Sequence, residues 1–283
     1  MALVTADMVK ELRTRTGVGM GKCKEALDGA AGDMELAIAN LRKAGIASAV
    51  KKEGRETKEG LIAAFDGKRC VALVEVNAET DFVTKNETFR KFAEEIAAEI
   101  ANTNPASLET FLAQPYSKDA SVSIDQQRAI VMQTVGENMK IQRLLVWSKG
   151  EELSLAAYTH MGGRIVTLVE IQGASDQEAL AKDIAMHIAA EAPLYLQPED
   201  VPASVKASEE DIASAQVKDK PAEMLAKIVA GKLNAFYDQT CLLRQKFIKD
   251  SSLTIAKLVE NKSKEIGKPL TVTRFVRWQV GAA

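Results

Sequence analysis

Aromatic rings, histidine and cysteine are all scarce in this chain of 283 residues. Apolar residues make up 46% of it but aromatics only 5%, so the core must be built from Ala, Leu, Ile and Val, which favours a helix-rich protein. So few rings leave few stacking platforms for single strands, and a net charge of -2 supplies no basic footprint. Direct nucleic-acid binding is therefore not expected. Cys23, Cys70 and Cys241 are odd in number, far apart and without a Cys-x-x-Cys pair, which argues against both a disulfide framework and a zinc site. Buried, reduced thiols of a cytosolic protein are the expectation. No apolar run is long enough to span a bilayer, and "MALVTADMVKEL" has no basic segment followed by an apolar core, so a soluble, cytoplasmic chain is expected.

Catalytic equipment is missing as well. There are two histidines, no nucleophile elbow, no Rossmann fingerprint and no His/Cys grouping for a metal, so neither cofactor nor metal is expected. His187 flanks the Leu180, Ile184, Ile188 face of a helix and reads as structural. The acid pairs Glu94–Glu95 and Glu209–Glu210 read as solvated helix faces. One stretch, "TGVGMGKCKEAL" from Thr16, approaches a phosphate-binding loop, with Gly21 and Lys22 in place. Thr16 stands where the first glycine belongs, however, Cys23 replaces the metal-binding hydroxyl, and the residues upstream have helical rather than strand spacing. A glycine-punctuated turn between helices is the plainer reading.

What is present is a compact amino-terminal pattern followed by a duplication. Thr5 is placed to cap a first helix with Val9 and Leu12, a second carries Cys23 and Leu27, and Asp33 caps a third that Gly45 is expected to close. Residues 1–55 hold ten Lys/Arg against seven Asp/Glu and end in a polar linker. Beyond it, "GKRCVALVEV" at 67 repeats as "GGRIVTLVEI" at 162, with Arg69, Leu73 and Glu75 matching Arg164, Leu168 and Glu170 at an offset of 95. "MKIQRLLVW" at 139 repeats as "LTVTRFVRW" at 270, with Arg143 and Trp147 matching Arg274 and Trp278 at an offset of 131. Each copy reads strand, strand, helix and later strand, giving an α+β core of two related units. The expected divisions are 1–55, a helical bundle with its linker; 56–150, the first core unit; 151–196 with 237–283, the second; and 197–236, an inserted antiparallel helical hairpin. Pro221 suits the first turn of the hairpin's returning helix.

Positions shared by both copies serve the fold, so the differences between copies are better candidates for function. From Glu75 to Ile96 is 21 residues, but from Glu170 to Ile184 only 14, so copy one has an insertion, which includes "TDFV" from Thr80 to Val83. Copy two has the longer hairpin turn, six steps from Tyr158 to Arg164 against four from Phe65 to Arg69, and that turn carries His160. Phe82 is a large apolar group in a polar inserted loop. Two readings are open: it tucks back onto its own helix, or it protrudes as an anchor that enters another protein.

In this order and spacing, "LRTRTGVGMGKCKEAL", "GDMELAIANLRKAG", "ETDFV" and "AMHIAA" resemble the elongation factor Ts family, essentially end to end. The resemblance implies a three-helix amino-terminal module similar to ubiquitin-associated domains, a two-part core, a helical hairpin and a short carboxy-terminal module. It implies a non-enzymatic guanine-nucleotide exchange factor of translation, whose partner is the GTPase elongation factor Tu. Thr80, Asp81, Phe82 and Val83 would form the wedge, with Asp81 and Phe82 entering near the partner's magnesium site. Arg13, Met20 and Lys22 would grip the same domain through the glycine loop; Val135, Gly136 and His160 would add core contacts. Phe247, Ile248 and Lys249 would reach the partner's distal domain. The hairpin would contact the partner or join two copies of the factor, as a homodimer or heterotetramer. Gly21 follows Met20 where the family often has a second methionine or a polar residue, and Lys249 stands where some relatives carry an apolar one. Two other classes stand beside this reading: an enzyme that uses the glycine loop, and a passive scaffold indifferent to GDP.

Overall fold

A computed structural model describes residues 4–216 and 222–282, so the expected helix start at Pro221 lies outside the described residues. The fold is α+β. The residues up to Ser148, with Met161–Arg164 and the last residues from Gln279, form one compact unit; Lys149–His160 and Ile165–Trp278 form another.

The first unit begins with α1 (Ala6–Thr16), α2 (Met20–Gly29) and α3 (Met34–Lys52). Their starts follow local chemistry: the Thr5 hydroxyl accepts from Met8 N–H, and the Asp33 carboxylate accepts from Leu36 N–H at 2.9 Å. Val9, Leu12, Val18, Cys23, Leu27, Ala37 and Leu41 close a small core among the three helices. Gly45 does not end α3, contrary to expectation; the helix runs on to Lys52. Gly45 is instead a site of close approach, since a β-carbon there would lie 2.6 Å from Gln133 Oε1.

The core of this unit runs β1 (Glu59–Asp66), β2 (Cys70–Ala78), α4 (Asp81–Thr84), α5 (Glu87–Thr103), α6 (Leu108–Ala113), β3 (Pro115–Tyr116), β4 (Asp119–Ser123), α7 (Ile124–Val135) and β5 (Met139–Ser148). In the second unit come β6 (Leu153–His160), β7 (Ile165–Gln172), α8 (Glu178–Glu191), α9 (Ala203–Ala215), α10 (Ala222–Thr240), β8 (Lys246–Phe247), β9 (Asp250–Thr254), α11 (Ile255–Ile266) and β10 (Thr271–Gln279). Each unit contains one three-stranded sheet, in the orders β1-β2-β5 and β10-β7-β6. The later strand of each copy thus pairs with that copy's second strand. β2 is buried along its whole length and β7 along all but its ends, so their polar side chains, Glu75, Asn77, Thr167 and Glu170, are buried with the apolar ones.

The duplication reaches individual side chains. Glu75, 2% exposed, pairs with Arg143 at 2.7 Å, and Glu170 pairs with Arg274 at 2.6 Å. A second matched element, β3–β4–α7 against β8–β9–α11, escaped sequence analysis. Pro115 and Tyr116 face Ser123 and Asp119, as Lys246 and Phe247 face Thr254 and Asp250. In each turn an aspartate, Asp119 or Asp250, accepts from the backbone and hydroxyl of a serine two residues on. Lys118 pairs with Glu95 and Lys249 with Asp183, again at equivalent positions. Glu95, which also accepts from the Tyr116 hydroxyl at 2.9 Å, is therefore more than a solvated acid.

Candidate partner-binding site

The insertion of copy one folds as α4, a single helical turn between β2 and α5. Asn86 begins the next helix by accepting from Thr88 N–H at 2.8 Å, which confines the insertion to a few residues. Val83 and Thr84 turn inward, Val83 joining the main core, while Phe82 is 79% exposed. Of the two readings of Phe82, the inward one is therefore overturned. Lys85 Nζ lies 2.7 Å from Asp81 and 5.9 Å from the Phe82 ring centroid, so charge surrounds the exposed ring. The hydrogen bond from Lys85 holds the Asp81 carboxyl below its usual range.

Thr80 is held from another element. Its N–H donates to Glu137 Oε2 at 2.9 Å, and its hydroxyl donates to Glu137 Oε1 at 2.7 Å. Glu137 directly follows Val135 and Gly136, where α7 ends in a left-handed cap with the Gly136 N–H on the Met132 carbonyl. Lys52 of α3 donates to the Gly136 carbonyl at 2.6 Å. Burial, then the positive charges of Lys22 and Arg55, lower the Lys52 pKa, placing Lys22 within electrostatic reach of the same corner. The glycine loop also belongs there. Gly17 caps α1 with φ 68°, and a β-carbon on it would lie 3.2 Å from the Thr134 methyl. Arg13, Met20 and Lys22 are exposed around this loop, which follows a helix rather than the buried strand of a phosphate loop.

Three of the expected contact groups thus fall in one unit and on one side-chain network: Thr80–Val83, Val135–Gly136 and the amino-terminal loop. The long turn of copy two touches it as well, because Arg90 reaches the carbonyls of both Thr84 and Gly162 at 3.5 and 3.4 Å. Met161 beside it is 65% exposed. The remaining groups belong to the second unit. His160 is exposed at the end of β6, its Nδ1 3.4 Å from the Tyr158 hydroxyl. Phe247 is 6% exposed within the core, 6.2 Å from the His187 ring, so Ile248 and Lys249 are the outward members of their trio.

His187 carries the Ile248 turn. Its Nδ1 accepts from Ile248 N–H at 3.3 Å, which puts the ring proton on Nε2, 3.0 Å from Gln245 Oε1. Burial pulls its pKa below the ordinary value despite the Gln245 bond. The sister position holds Glu99, whose carboxylate accepts from Ser117 N–H at 3.2 Å. Sequence reasoning missed this pair and missed Glu137; an offset of 88, already visible in Ile96 against Ile184, aligns Glu99 with His187.

The family model described as elongation factor TS matches residues 79–282. The chain is 62% identical over 281 residues to the elongation factor Ts of Protochlamydia amoebophila, covering 99% of this chain and all of that protein. It is 46% identical to the elongation factor Ts of Chlamydia muridarum and 45% to that of Chlamydia caviae, each over the full length of both chains. A family model that matches residues 79–282 and relatives 62% and 46% identical along the whole chain place it in the elongation factor Ts family of translation elongation factors.

Proposed function

We propose that this chain is the guanine-nucleotide exchange factor of the GTPase elongation factor Tu, acting in the cytoplasm. It makes and breaks no covalent bond. Phe82 and Asp81 enter the partner beside its magnesium and phosphate site, while Arg13, Met20, Lys22, Val135 and Gly136 hold the same domain. Ile248 and Lys249, with Phe247 behind them, and His160 supply contacts from the second unit. The helices α9 and α10, with Ile212 and Met224 exposed, are the surface left for self-association or a further partner contact.

The observation that carries this reading is the 79% exposure of Phe82 on a turn whose next two residues, Val83 and Thr84, are buried. Burying such a side chain yields roughly 1.5–3 kcal/mol, and a monomer in water forgoes it. A partner that recovers it only when its nucleotide pocket has opened is shifted toward the emptied state, whereas equal affinity for both states shifts nothing. Linkage makes the effect reciprocal: the factor by which this chain weakens GDP is the factor by which GDP weakens this chain.

That reciprocity is the test. Titrating the chain into elongation factor Tu with and without saturating GDP, and titrating GDP with and without the chain, must give the same coupling factor, well above one. A coupling factor of one would leave a passive scaffold. Stoichiometric binding of GDP or ATP to the isolated chain by calorimetry would return the glycine loop to the enzyme reading.

A further inference from the structure

We infer that Glu137 is the positioning residue of the exchange wedge: its carboxylate holds Thr80 so that α4 presents Phe82 outward. This rests on the exchange reading above and adds to it the group that aims the ring.

A four-residue helix does not hold itself in place, because nucleation costs more than one turn of hydrogen bonds returns. Around this single turn, Asn86 N–H donates to the Val83 carbonyl at 2.9 Å, Lys85 N–H to the Phe82 carbonyl at 3.3 Å and the Thr84 hydroxyl to the Asp81 carbonyl at 2.8 Å, all of them bonds local to the turn. Its N-cap residue makes no capping bond. The Thr80 hydroxyl, which would ordinarily cap the turn, is committed to Glu137 instead. Both oxygens of that carboxylate are used, one on the backbone and one on the side chain of the same residue, which fixes direction as well as distance. A reciprocal bond locks the pair of segments, with Asn138 N–H donating to Glu79 Oε1 at 2.6 Å.

The duplication separates this clamp from the scaffold. At the offset of 131, Glu137 and Asn138 become Lys268 and Pro269 in copy two, which lacks the insertion. A lysine accepts nothing from a backbone N–H, and proline has no N–H to give. Copy two folds the same α11-to-β10 junction without either bond, so the fold does not need them. The clamp accompanies the wedge. Because Gly136, next in the chain, receives Lys52, the anchor of the wedge and the seat of the amino-terminal module share one corner.

The test uses the full-length chain and elongation factor Tu carrying fluorescent GDP. Glu137→Ala should lower the maximal rate of GDP release about ten-fold, the scale of a lost charge-assisted hydrogen bond, with a smaller change in the concentration of factor giving half-maximal rate. Glu137→Gln, which keeps a carbonyl oxygen, should recover part of the loss, and Thr80→Ser should recover more than Thr80→Val. On a Phe82→Ala background, Glu137→Ala should add less than about two-fold, because a missing ring cannot be misaimed. If Phe82→Ala slows release while Glu137→Ala and Thr80→Val leave the maximal rate unchanged, the positioning role is overturned and the exchange reading stands. If Phe82→Ala itself has no effect, the exchange reading fails. Should Glu137→Ala unfold the chain, Glu137→Gln and Thr80→Val decide the matter through the same two rates.

Discussion

Copy one and copy two share a three-stranded sheet, a buried glutamate–arginine pair, a lysine–acid pair and a two-stranded turn with the same aspartate–serine bonds, yet they carry different exposed surfaces. Copy one adds α4, with Phe82 outward and Thr80 tied to Glu137. Copy two adds a longer turn through Met161 and the α9–α10 hairpin. Where the copies agree, the residues are buried or bonded within their own unit. Where they differ, large apolar groups face solvent. The difference teaches that the exposed rings and aliphatic side chains peculiar to each copy sit on insertions into a scaffold that occurs twice.

Substitutions that break shared features should cost stability, and those at unshared features should cost exchange. The largest stability loss is expected at the shared buried pair: Arg143→Leu leaves the Glu75 carboxylate unpaired and should destabilise by about 3–5 kcal/mol in urea unfolding. Arg274→Leu should act in the same direction but by less, since Glu170 is more exposed than Glu75.

Next comes the position where the copies share a role but not a residue. With its folded pKa below its unfolded value, His187 contributes stability that is present above about pH 6.5 and lost as pH falls through the folded pKa. Unfolding midpoints measured through this range should decline toward acid for the native chain, and His187→Gln should remove that component of the slope. Glu170, held low by Arg274 and Thr273 against the opposing effect of its burial, adds a second loss below the ordinary glutamate range. The matched surface pairs rank lowest among the shared features. Lys118→Ala and Lys249→Ala should each change stability by less than about 1 kcal/mol, because exposed pairs are screened by water and salt.

Much of this architecture was legible in the sequence because duplication and period-two alternation are local or repeated signals. The offsets of 95 and 131 matched the strands of both sheets, with Glu75, Glu170, Arg143 and Arg274 at corresponding positions but not their pairing, and the difference in spacing after Glu75 and Glu170 located the insertion that carries Phe82. What escaped was short or long-range. β3 and β8 are two residues each, too brief to alternate, so their likeness shows only when the offset of 131 is carried back through Asp119 and Asp250. Gly45 looked like a helix end because glycine there is unfavourable on propensity alone; its close approach to Gln133 is a tertiary fact. Glu137 meets Thr80 across 57 residues, a separation that no helical or strand period encodes.

The central claim is that an outward ring in one copy does the work of exchange without supporting the fold. Stopped-flow release of labelled GDP from elongation factor Tu, paired with the melting temperature of the same Phe82→Ala sample, tests it most directly. The account predicts a large fall in release rate with stability changed by no more than about 0.5 kcal/mol, as for a surface position. An unchanged rate with a collapsed melting temperature would contradict it, making Phe82 part of the core.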